Sequence, residues 1–150
     1  MQTSASLREK AAQLLAADTA TLAQAANANV VALVMANFNS SEQLVASAVT
    51  LATFDGSTPL AVGLGTQAEG LDPNSADALI SLKSPVGGWR WETTGTTNLP
   101  QTIYGYVLLD QALTTLLASE KLDTPVTLNA VNQVIELGAL KIRQLANSMV

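Results

Sequence analysis

The chain has neither cysteine nor histidine among its 150 residues. Without thiols there are no disulfides and no thiolate metal ligands, so stability has to come from packing or from partners. Without imidazole, Ser-His-Asp and Cys-His catalysis are excluded, together with most zinc sites. Charge is also scarce, at 13% of residues, where soluble domains average roughly 25%. Seven basic residues face twelve acidic ones, giving a net charge of -5, so nothing supplies the basic patch that phosphate neutralisation requires, and nucleic acid is not an expected partner. The longest apolar run, Val30 to Ala36, is far shorter than the roughly 20 residues that span a bilayer. A membrane is therefore not an expected partner either. The opening MQTSASLREK lacks a basic stretch leading into an apolar one, and synthesis in the cytosol is the expectation.

What is present is apolar and small. Hydrophobic residues make up 48% of the chain, and with so few charges the surface must be built of Ala, Thr, Ser, Asn and Gln. Such a surface costs little to desolvate, which suits a protein packed against others. The length fits one domain with a core of its own.

Ser6-Leu7-Arg8-Glu9 reads as a capping box that opens a helix. Leu7, Ala11, Leu14 and Leu15 recur at helical spacing, and Asp18 can cap a second short segment, carrying Leu22, that ends near Ala26. The apolar face is narrow and rich in Ala. Residues 1–28 are thus expected to form an N-terminal helical arm, with Leu7, Ala11, Leu14, Leu15 and Leu22 as candidate interface residues. Docking of the arm on its own domain is the plainer alternative.

From residue 29 to residue 150 the pattern is one of short strands. Asn29 to Phe38 is apolar in both phases, as a strand covered on both faces would be. Ser40 to Val49 is undecided between a capped helix and a strand edge. Asp55-Gly56 signals a tight turn before an extended Thr58 to Leu64. GLDPNS, residues 70–75, is a turn by its chemistry, followed by a strand from Ala76 to Lys83 and a bend at Ser84 to Gly88. Trp89 to Thr94 and Thr102 to Asp110 are expected as partner strands around a Thr/Gly loop. A second hairpin is expected from Thr114 to Lys121 and Pro125 to Ala130, turning at Leu122 to Thr124. For residues 131–146 both helix and strand fit, and a strand with an irregularity at Gly138 is favoured. The expected fold is mainly β: an antiparallel β-sandwich, jelly-roll-like, with an N-terminal helical arm.

Four features invite a chemical reading. Residues 63–68, GLGTQA, nominally match a dinucleotide fingerprint, but Gly70, Asp72 and Pro73 break the helix that would have to begin there, so a glycine-marked strand bend is the better reading. Asp72, Asn74, Ser75 and Asp77 crowd oxygen atoms into six residues but lack the Gly and distal Glu of a calcium loop, and a self-capped turn is favoured. Glu92 is a carboxylate between aromatic strands that could serve glycosidic cleavage, yet no motif positions a second one. The expectation is a non-enzyme without cofactor or metal. The fourth feature is the aromatic cluster Trp89, Trp91, Tyr104 and Tyr106, which holds every Trp and Tyr of the chain. Alternation places Trp89 and Trp91 on one face of their strand and Tyr104 and Tyr106 on one face of the next. The cluster is either a platform on which sugar rings stack or the centre of the core, and the core is favoured.

Asp55-Gly56-Ser57-Thr58-Pro59, Gly88-Trp89-Arg90-Trp91-Glu92-Thr93, the strand from Gln101 through Tyr104-Gly105-Tyr106 to Asp110, and Leu116 to Glu120 together resemble small structural proteins of tailed bacteriophages. The likeness is greatest to capsid cement or decoration proteins, from Phe54 to Leu137. Where an Asp-Ser or Asn-Gly turn is usual in such proteins, Asp110-Gln111-Ala112 stands here. The resemblance implies a β-rich domain, made in the host cytoplasm, that binds the outer capsid surface of the virion and tightens contacts between capsomers. Its implied partners are the major capsid protein and itself, as a homodimer or homotrimer. The alternative is a carbohydrate-binding or host-recognition module of a phage tail, which would use the aromatic cluster directly.

Overall fold

The computed structural model describes residues 2–3, 29–39, 44–67 and 78–144. Among them are nine strands, one 3-10 turn (Ala46–Ala48) and no α-helix. The strands are β1 (Gln2–Thr3), β2 (Asn29–Val34), β3 (Leu60–Gln67), β4 (Ala78–Lys83), β5 (Trp89–Glu92), β6 (Gln101–Asp110), β7 (Leu116–Leu128), β8 (Val134–Leu137) and β9 (Lys141–Gln144). Every pairing is antiparallel. Seven strands form one sheet in the order β1-β7-β6-β2-β3-β4-β9, and β5 pairs with β8 as a separate ribbon. The ribbon lays its inward side chains on the large sheet, making an antiparallel β-sandwich.

The both-phase apolar pattern of β2 has a direct cause. Val31, Ala32, Leu33 and Val34 are all buried, because each face of the sheet has its own cover. Val31 and Leu33 meet Trp89, Trp91 and Ile135 of the ribbon together with Phe54. Ala32 and Val34 meet Phe38, and Leu44, Val49 and Leu51 pack there too, so the connection after β2 folds over this face. Burying a side chain of Val or Leu size is worth about 1.5–3 kcal/mol, and the central strands do so on both sides.

Several expected pairings are corrected. Trp89 to Glu92 does not pair with the Tyr104 strand; β5 pairs with β8 in the register Trp89↔Leu137 to Glu92↔Val134, and β6 lies between β2 and β7. Nor is there a hairpin turn at Leu122 to Thr124. β7 runs unbroken from Leu116 to Leu128, and the partners step from Ile103↔Val126 to Gly105↔Lys121, so extra residues of β7 bulge out. Turn-forming Asp and Pro sit equally well in a bulge, and Asp123 and Pro125 lie exposed in this one. Residues 131–146, favoured as strand, contain two strands, β8 and β9, separated at Gly138 to Leu140. Of Ser40 to Val49, the described part holds the 3-10 turn and no longer element.

β3 continues through Gln67, with a register shift between Leu64 and Gln67, so the glycines of GLGTQA lie in and beside a strand irregularity. The expected capping box, the candidate interface residues Leu7, Ala11, Leu14, Leu15 and Leu22, and the Asp72 to Asp77 turn lie outside the described residues. Gln2–Thr3, at the start of the expected arm, is a strand of the large sheet, paired with Ser119 and Ala118.

Candidate functional site

β5 alternates as its sequence demands. Trp89 and Trp91 point inward and are 2% and 1% exposed, while Arg90 and Glu92 face out. Stacking on a sugar requires an open ring face, and neither indole has one. The Trp91 Nε1–H donates to the Thr58 carbonyl at 2.9 Å, whereas Trp89 Nε1 is buried with no hydrogen-bond partner.

The two tyrosines do not share a face. Tyr106 packs on the ribbon side with Leu108, and Tyr104 packs on the opposite side with Val107 and Leu109. The phase slips at Gly105, where β7 bulges. A Cβ on Gly105 would stand 2.3 Å from the Glu120 carbonyl oxygen and 2.8 Å from the Phe38 ring, so only glycine allows that close approach. The Tyr106 hydroxyl donates to Glu120 Oε2 at 2.6 Å. Burial, and then the hydrogen bond to the Glu120 carboxylate, hold this phenol above its ordinary pKa.

On the outer side of the ribbon, Arg90 lies between two carboxylates. Its Nη1 meets Glu92 Oε2 at 2.7 Å and its Nε meets Glu136 Oε1 at 3.2 Å. The Glu92 hydrogen bond is the main reason the guanidinium pKa is raised. Glycosidic hydrolysis needs two carboxyl groups facing each other across a substrate. Here a guanidinium stands between them, and both acids neutralise it. Among the described residues no three His, Cys, Asp or Glu side chains group as metal ligands, and no helix is long and apolar enough to cross a membrane.

The Asp55-Gly56 turn, the end of β5 and the start of β6 meet at one loop. The backbone after Leu51 leaves the edge of β2 at Ala52, whose N–H reaches the Leu33 carbonyl, and rejoins it at Leu60, opposite Val31. The loop in between fastens the ribbon to the large sheet. Asp55-Gly56 makes its turn with Gly56 at φ +104°, and a Cβ there would lie 2.0 Å from the Glu92 carbonyl oxygen. The Asp55 carbonyl accepts from Thr94 N–H at 2.9 Å, and the Ser57 hydroxyl donates to the Ala52 carbonyl at 3.0 Å.

A second set of polar groups ties the loop to the start of β6. Buried Gln101 accepts from Thr53 N–H at 2.9 Å and donates to the Thr53 hydroxyl at 3.1 Å, while Asn98 Nδ2 donates to the Thr53 carbonyl at 2.9 Å. At the far end of β5, fully buried Thr93 donates through its hydroxyl to the Ala130 carbonyl at 2.7 Å and accepts from Gln133 N–H at 2.9 Å. Thr53, Thr93, Asn98, Gln101 and Gln133 were not legible as structural residues. Nothing in a single sequence marks a Thr or Gln as buried, although Asn98 before Leu99-Pro100 carries a turn signal.

A concavity of about 450 Å³ opens beside this loop, lined by Leu51, Phe54, Asp55, Pro59 and Leu113 among others. No family model, no curated protein and no solved structure matches the chain.

Proposed function

We propose that the chain is a virion structural protein of the capsid cement or decoration kind, attached to the outer capsid surface and stabilising contacts between capsomers. One observation carries the reading: the groups best suited to chemistry or ligand stacking serve internal fastening. Both indoles are buried. Tyr106 is bonded to Glu120, and Arg90 holds Glu92 and Glu136. Asp110 closes its own turn by accepting from the N–H groups of Thr114 and Thr115 at 2.7 and 2.8 Å. Charged residues are only 13% of the chain, and among the described residues apolar side chains such as Val45 and Val86 stand exposed. A sandwich of so little charge suits a role in which position and packing, not turnover, are the product. Burial of the indoles weighs against the tail-module alternative, which needs them open.

The test is a comparison of particles assembled with and without the protein. Electron micrographs should show surface density lost in its absence, and the emptied particles should break at a lower temperature. Particles of identical surface and identical heat resistance would overturn the reading.

A further inference from the structure

We draw no further inference here: the strongest candidate, the concavity of about 450 Å³ between the Phe54 to Pro59 loop and Leu113, is an unpartnered recess, and nothing in the structure shows what covers it.

Discussion

The two faces of the large sheet are covered in different ways. One face is closed by a hydrogen-bonded ribbon whose two tryptophans are almost wholly buried and which is tied to the neighbouring loop at the Thr58 and Asp55 carbonyls. Among the described residues, the other is covered by the connection after β2, with Phe38 as its large buried side chain and Leu44, Ala46, Val49 and Leu51 only partly covered. Strand pairing satisfies the backbone of the first cover internally, so its side chains can be large and fully enclosed. A connection has to leave part of its backbone to solvent, and its packing is correspondingly shallower. The contrast predicts that the stability of this sandwich is concentrated where a second sheet exists.

The largest expected effect breaks that contrast at its centre. Trp91→Ala should cost about 3–5 kcal/mol through lost burial and the cavity left behind, with loss of the Thr58 hydrogen bond added. Phe38→Ala should lie at the low end, about 3 kcal/mol. Urea unfolding midpoints rank the two variants. Equal or reversed costs would show that the connection holds the sheet as firmly as the ribbon does.

A second pair of variants sharpens the role of the loop. Gly56 and Gly87 both have positive φ, +104° and +91°. A Cβ at Gly56 meets the Glu92 carbonyl, whereas one at Gly87 meets nothing within 4 Å. Gly87→Ala should therefore cost about 1 kcal/mol, from strain alone. Gly56→Ala should cost about 2–3 kcal/mol or more, since strain is joined by displacement of β5 from the large sheet. Thermal melts of both variants decide it, and similar losses would mean that the loop does not fasten the ribbon.

Tyr106→Phe should cost about 1–2 kcal/mol, because it removes a donor from the Glu120 carboxylate. It also carries a pH signature. The folded phenol is held above its ordinary pKa, so above about pH 10 the unfolded chain ionises first. The stability this group contributes is complete below that pH and is lost as the pH rises further. Melting temperatures between pH 8 and pH 11 should fall more steeply for the parent than for the variant, and parallel curves would remove Tyr106 from the account.

The smallest expected effect lies at the turn between β6 and β7. The Asp110 carboxylate is held below the usual range, first by the N–H of Thr115 and also by the hydroxyl and N–H of Thr114. Its contribution is present above the unfolded pKa of about 3.9 and fades as the pH falls through the lower folded value. Asp110→Ala should cost about 1 kcal/mol at pH 7, by analogy with a lost cap, and the gap from the parent should close below about pH 4. A gap that stays constant down to pH 2 would assign the loss to something other than the carboxylate.

Much of the fold was legible because it depends on periodicity and turn chemistry. Val31 to Val34 reads as buried on both sides, Asp55-Gly56 reads as a turn, and alternation in Trp89 to Glu92 correctly divides inward rings from outward charges. Partner choice was not legible. The nearest strand in sequence is the natural partner to expect, and β5 instead pairs with β8, more than forty residues along the chain. The candidate site followed the same division. Its aromatic members were visible in the sequence, but the facing of Tyr104 and Tyr106 depended on a bulge in β7, to which Gly105 between them is the one pointer within residues 101–110.

What the sequence determined by itself was the class: a β-rich domain low in charge, without the thiol and imidazole chemistry on which many active sites depend. It did so because strand alternation, glycine turns and the inventory of functional groups are local properties. Only the tertiary structure decided which strands meet and that β7 is one bulged strand. It also decided that Gly56 and Gly105 are sites of close backbone approach. Those outcomes depend on atoms far apart in the chain arriving within a few ångströms of each other, and such distances are properties of the packed whole and not of any segment.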